Sequence, residues 1–158
     1  MVAESPAVPE ADRTLILTRT IHAPRALVFQ VWTEREHMVH WFGPDNFTLP
    51  FCEVDFRVGG KYRLCMRSPD GTDFWVEGTY REIVEPERIV FTWGRPEFPD
   101  ETIVTITLAE EEGKTLLTLH HALFKTTSDR DEHRWGWSEC LVRLDTYAAD
   151  RNATSGAR

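Results

Sequence analysis

Cysteine is scarce in this chain. Cys52, Cys65 and Cys140 are far apart, odd in number and without a CxxC pair. That excludes a disulfide framework and a zinc knuckle, and fits a reducing cytoplasm. Basic charge is also in deficit. Eighteen Lys and Arg stand against 26 Asp and Glu, a formal net charge of −8. Phosphate backbones and anionic membrane faces call for a basic surface, so neither nucleic acid nor such a membrane is an expected partner. No long apolar run occurs, so neither a signal peptide nor a membrane span is expected. GxGxxG, the P-loop and HExxH are missing, and Gly136 to Cys140 lacks the second glycine of GxSxG.

What the chain does have is apolar bulk. It has 158 residues, 41% hydrophobic, with nine Phe and six Trp. That suits one domain with a real core. Residues 1–12, rich in Ala, Pro and Glu, read as a disordered tail. Residues 150–158 read as a second, frayed tail. The domain is expected over residues 13–149. The acidic excess reads as a solubility device.

The strongest periodic signal is near the end, over residues 129–149. Trp137, Leu141, Leu144 and Ala148 recur on one helical stripe, with Cys140 and Tyr147 beside it and His133 one turn before. Asp129 with Glu132 has the form of an N-terminal capping box, and Ser128 is the other candidate cap. Before this helix the chain reads mostly as strand. Residues 13–22 alternate Leu15 and Leu17 against Thr14, Ile16 and Thr18. Pro24 opens a short helix, and a second, over residues 34–42, stops at Gly43-Pro44. Strands are expected over residues 51–58, 61–67, 74–84, 88–93, 101–109 and 115–124, separated by Gly, Pro and Asp turns. Tight turns join neighbours, which makes a largely antiparallel meander. A one-sided helix after such a sheet lies across its concave face.

The motifs PRALVFQVW, HWFGP, VDFRVGGKY, RSPDG, EGTYREIVEPERIVFTW, GKTLLTLHH and HRWGWSECLVRL occur in this order. Together they resemble the family named after the activator of the heat-shock-protein-90 ATPase, within the START-like superfamily. The resemblance covers residues 14–149. It implies an α+β helix-grip fold, a curved seven-stranded sheet around the C-terminal helix. It also implies an elongated internal cavity for an apolar or aromatic small molecule. The eukaryotic chaperone activators carry a further domain before this one, whereas a short tail precedes the first strand here, which counts against a chaperone role.

Aromatic supply is the main functional signal. Trp41, Phe42, Trp75, Tyr80, Trp93, Phe98 and Trp137 fall on elements expected to surround the helix. Large rings with a polar edge suit pocket walls as well as cores. Leu141 and Leu144 would complete the wall. His121 and His133 read as polar groups that orient a ligand, or as satisfied structural histidines. His37 and His40 share a helix face, but no third ligand is fixed, so no metal is expected. Glu77 is a raised-pKa acid if it faces inward and a solvated residue if outward. Cys140 reads as inert packing. Gly136, between two tryptophans, reads as relief of crowding, the other reading being close approach of a ligand. The leading expectation is a cytoplasmic binding module without cofactor. The alternatives are a protein-interaction module assisting a heat-shock ATPase, and a cyclase or hydrolase using polar cavity residues.

Overall fold

The computed structural model describes residues 9–97 and 100–156. A single 3-10 turn, Glu10–Arg13, leads into β1 (Leu15–Ile21). Two helices follow, α1 (Arg25–Thr33) and α2 (Arg35–Met38). Six strands come next: β2 (Thr48–Val54), β3 (Lys61–Arg67), β4 (Asp73–Val84), β5 (Arg88–Trp93), β6 (Thr102–Glu111) and β7 (Lys114–Ala122). The last element is α3 (Thr127–Gly156), 30 residues long.

The seven strands form one antiparallel sheet in the order β1-β7-β6-β5-β4-β3-β2. β2 to β7 are a meander, and β1 returns to pair with β7. The pleat sorts the residues. Leu117, Leu119 and His121 of β7 and Val104, Ile106 and Leu108 of β6 are all buried. Their neighbours Thr118, His120 and Thr107 stay on the wetter face. Trp137, Cys140, Leu141, Leu144 and Ala148 of α3 are buried against that inner face, so the helical stripe read from the sequence is the gripped face.

Asp145 ties the helix to β1. Its carboxylate accepts from the His22 backbone N–H at 3.0 Å and pairs with Arg19 at 3.2 Å. Gly78 lets β4 and β5 close up, since a Cβ there would sit 1.9 Å from the Thr92 carbonyl oxygen. The Tyr62 hydroxyl donates to that same carbonyl.

Several boundaries differ from expectation, most of them for local reasons. α3 begins at Thr127, two residues earlier than Asp129 suggests, because the Thr126 hydroxyl accepts the Asp129 N–H at 3.0 Å and so is the cap. It also continues through Gly156, past the expected end at residue 149. α2 stops at Met38. The chain onward to Phe42 is held by turn bonds, His40 N–H to His37 and Trp41 N–H to Met38. β2 runs over Thr48–Val54, not 51–58. Residues 55–60 form the turn, with Arg57 N–H bonded to the Asp55 carbonyl at 2.9 Å and Gly60 N–H to Arg57 at 2.8 Å.

Candidate functional site

Among the described residues, aromatic side chains fill most of the space between the sheet and α3 where the family resemblance implied an elongated cavity. Trp32, Trp41, Phe42, Trp93 and Trp137 pack against one another with ring centroids 4.8–6.4 Å apart. Tyr62, Tyr80 and Phe91 continue the cluster. The void left among them is about 20 Å³, room for a water molecule and no more. Trp32 is part of its lining, and the Trp32 indole nitrogen is buried and without an acceptor among the described residues.

Space for a ligand lies at the edge of this cluster. A cleft of about 470 Å³ opens to solvent between β3–β4, the 42–47 loop and the first half of α3. Phe42, Val76, Trp93, Trp137 and Cys140 are its buried lining. Phe74 at 44% exposure and Trp135 at 56% stand at its mouth. Gly43 turns the chain beneath it at φ 113°, a conformation that favours glycine. The Gly43 N–H donates to Cys140 Sγ at 3.4 Å, and Arg143 holds the Gly43 carbonyl at 3.0 Å. The loop is thus fastened to α3. Burial pushes the Cys140 thiol up to about 12, so it is a packing group.

Two indole–imidazole bonds brace the floor. Trp137 Nε1 donates to His121 Nδ1 at 3.0 Å, and Trp93 Nε1 donates to His133 Nε2 at 3.2 Å. An indole can only donate, so each receiving nitrogen is bare. The proton of His121 is therefore on Nε2, which donates to Thr102 Oγ1 at 2.6 Å, and that hydroxyl donates on to the Trp93 carbonyl at 3.0 Å. The proton of His133 is on Nδ1, which donates to the Asp129 carbonyl at 2.8 Å. Both rings are neutral and fully used. Burial is the first cause that holds each below the usual histidine value.

The residues read from the sequence are now placed. Phe42, Trp93, His133 and Trp137 meet at the cleft. Trp75 borders it, but its ring packs on Phe51 at 5.2 Å and under the Arg63 guanidinium at 4.4 Å. Tyr80 lies on the small void. Trp41 is fully buried, with its N–H on the Val31 carbonyl at 3.1 Å. His121 sits behind Trp137, and Leu141 and Leu144 are core. Phe98 falls outside the described residues. Glu77 faces out beside Arg63 at 3.8 Å, which settles its strand register. Phe47, Met66, Phe74 and Trp135 line the cleft and were not singled out. Phe47 and Phe74, isolated at a loop and a strand end, carry no periodic signal, and Trp135 lies off the buried stripe of α3. Among the described residues no group of three His, Cys, Asp or Glu is placed to hold a metal. No helix there is long and apolar enough to cross a membrane.

The family model for "Activator of Hsp90 ATPase homolog 1-like protein" matches residues 22–149. The chain belongs to this family. A Nitrosomonas europaea protein of known structure is 26% identical, with a TM-score of 0.80, covering 92% of this chain and 99% of that one. A Chromobacterium violaceum protein is also 26% identical, with a TM-score of 0.81, covering 87% and 97%. An AHSA1 protein of Silicibacter pomeroyi, 24% identical with a TM-score of 0.78 over 87% and 99%, shares the fold. No curated protein matches the chain.

Proposed function

We propose that this family member binds a flat, largely apolar small molecule in the open cleft between β4 and α3. The observation that carries the reading is the cleft itself, about 470 Å³ with Phe42, Trp93 and Trp137 as floor and Phe74 and Trp135 at the mouth. That volume is within the range of small-molecule sites, and aromatic lining with few polar groups is their usual composition. The bracing of Trp93 and Trp137 supports it further. Rings held by their N–H groups present a preformed surface, which lowers the ordering cost of binding. A catalytic reading has less support, because His121 and His133 already spend both ring nitrogens inside the protein.

The test is a titration with polycyclic aromatics, reading tryptophan emission. A saturable change is expected, weakened several-fold by Trp135→Ala and Phe74→Ala. Both residues are exposed, so their loss leaves the core intact. No response across a broad apolar library overturns the reading. The family name supports one other role, contact with a heat-shock ATPase, for which the exposed Trp135 ring is a suitable contact. Stimulation of such an ATPase, lost in Trp135→Ala, would favour it.

A further inference from the structure

From the charges around the cleft we infer that its ligand is an organic cation, a flat apolar body carrying a fixed positive charge or a protonated amine. The inference rests on the cleft being a binding site and goes on to name its ligand class. The charged residues lining it are Asp73, Glu97, Glu132 and Arg95. Arg67, just outside, pairs with Asp73 at 2.7 Å and cancels it. Glu97 and Glu132 against Arg95 still leave an acidic excess. His133 adds no positive charge, because its Nε2 must stay bare to accept the Trp93 N–H. The whole chain is acidic as well, at −8, so the wider field has the same sign.

Against that rim stands a set of aromatic rings. Trp93, Trp137 and Phe42 form the floor, and Trp135 and Phe74 the mouth. The face of an indole is negative and attracts a cation lying over it, more so where water is thinned out. An aromatic lining with an acidic rim is complementary to a cationic ring system on both counts. An anion of the same shape meets like charge at the rim and the wrong sign on the ring faces. A neutral analogue gains the apolar area alone.

A matched set separates these cases at pH 7.5: acridine, which is neutral there, N-methylacridinium, and 9-acridinecarboxylate. The three share one ring system and differ in charge. Calorimetric titration of the full chain should rank them cation, neutral, anion, with the cation roughly tenfold tighter than the neutral compound. Glu132→Gln, at an exposed helix position, should lower that ratio at least threefold. Trp135→Ala should weaken all three. Equal or tighter binding of acridine or the carboxylate overturns the inference and leaves the cleft reading standing. A cation preference untouched by Glu132→Gln also overturns it, since general attraction to an acidic protein would then be the cause. If none of the three binds in a Trp135-dependent way, the cleft reading fails and the inference falls with it.

Discussion

The Trp137 indole N–H and the His121 ring meet at 3.0 Å, both buried, and neither can change its protonation without breaking the contact. Trp93 and His133 repeat the arrangement at 3.2 Å. A protonated imidazole carries two donors and no acceptor. Charging either ring would therefore point one N–H at another. The Trp93 carbonyl, reached through Thr102, links the two pairs into one chain of bonds.

Acid should destabilise the fold through this chain. In the unfolded state both rings take up a proton near pH 6.5, whereas in the folded state their values are depressed, chiefly by burial. Below that pH the unfolded state binds more protons, so stability is full above about pH 7 and falls as pH drops. The limiting slope is about 1.4 kcal/mol per pH unit for each histidine. Urea unfolding between pH 8 and pH 5.5 measures it. A flat profile would mean the rings accept protons in place.

His121→Leu should cost about 1–3 kcal/mol at pH 7.5, because the buried Trp137 N–H loses its acceptor. The same substitution should reduce the acid slope, since one of the two titrating rings is gone. Chemical denaturation at two pH values reads both effects. Loss of stability with an unchanged slope would place the titration elsewhere.

Asp145 makes a second, lower pH window. Burial alone would raise its carboxyl, but the His22 backbone N–H and ring, with Arg19, outweigh that and hold it below the usual range. A depressed carboxylate stabilises the fold above its unfolded value of about 3.9, and this is lost as pH falls through the folded value. Asp145→Asn should therefore cost about 1–3 kcal/mol at pH 7 and progressively less below about pH 4. An equal cost at both ends would assign the loss to packing.

Much of this architecture was legible because turns and periodicity are local. β3 (Lys61–Arg67) and β5 (Arg88–Trp93) match their expected spans, each bracketed by Gly, Pro or Asp turns. The stripe Trp137, Leu141, Leu144, Ala148 is buried as its spacing implied. The site was harder. Whether a ring packs or lines a cleft depends on what closes over it, which no window of sequence contains. Trp41 is consumed by the Val31 carbonyl ten residues earlier and by Trp32. Phe74, on the same face of β4 as Val76, stays 44% exposed beside Phe47. The alternating pattern in residues 51–58 misled in the same way. It continues into a turn that requires glycine at position 60, since a Cβ there would lie 2.0 Å from the Asp55 carbonyl oxygen.

Leu141 and Val142 are neighbours with opposite fates. Leu141 is 2% exposed in the core and Val142 is 46% exposed. Leu141→Ala should cost about 2–5 kcal/mol, and Val142→Ala should stay within about 0.5 kcal/mol. Thermal or urea unfolding checks the pair. Similar values for the two would contradict the orientation of α3.

Gly136 decides between two readings of one residue. The sequence favoured a glycine that relieves crowding between Trp135 and Trp137. In the structure a Cβ at Gly136 meets Pro44 Cγ at 3.8 Å, an ordinary contact, and no other close neighbour beyond its own helix. Crowding therefore does not require the glycine. A helical Gly costs about 1 kcal/mol against Ala, so Gly136→Ala should stabilise the protein by roughly 0.5–1 kcal/mol. For a chain of this size that is a rise in Tm of about 1–4 °C. Gly136 also lines the cleft beside Trp135 and Pro44, and a methyl group there takes space from a ligand. Affinity for a polycyclic aromatic should fall as stability rises, and Gly136→Leu should lower it further. A protein made more stable and less able to bind would show that the glycine is kept for the cleft. A less stable Ala variant would return the residue to the packing role its sequence suggested.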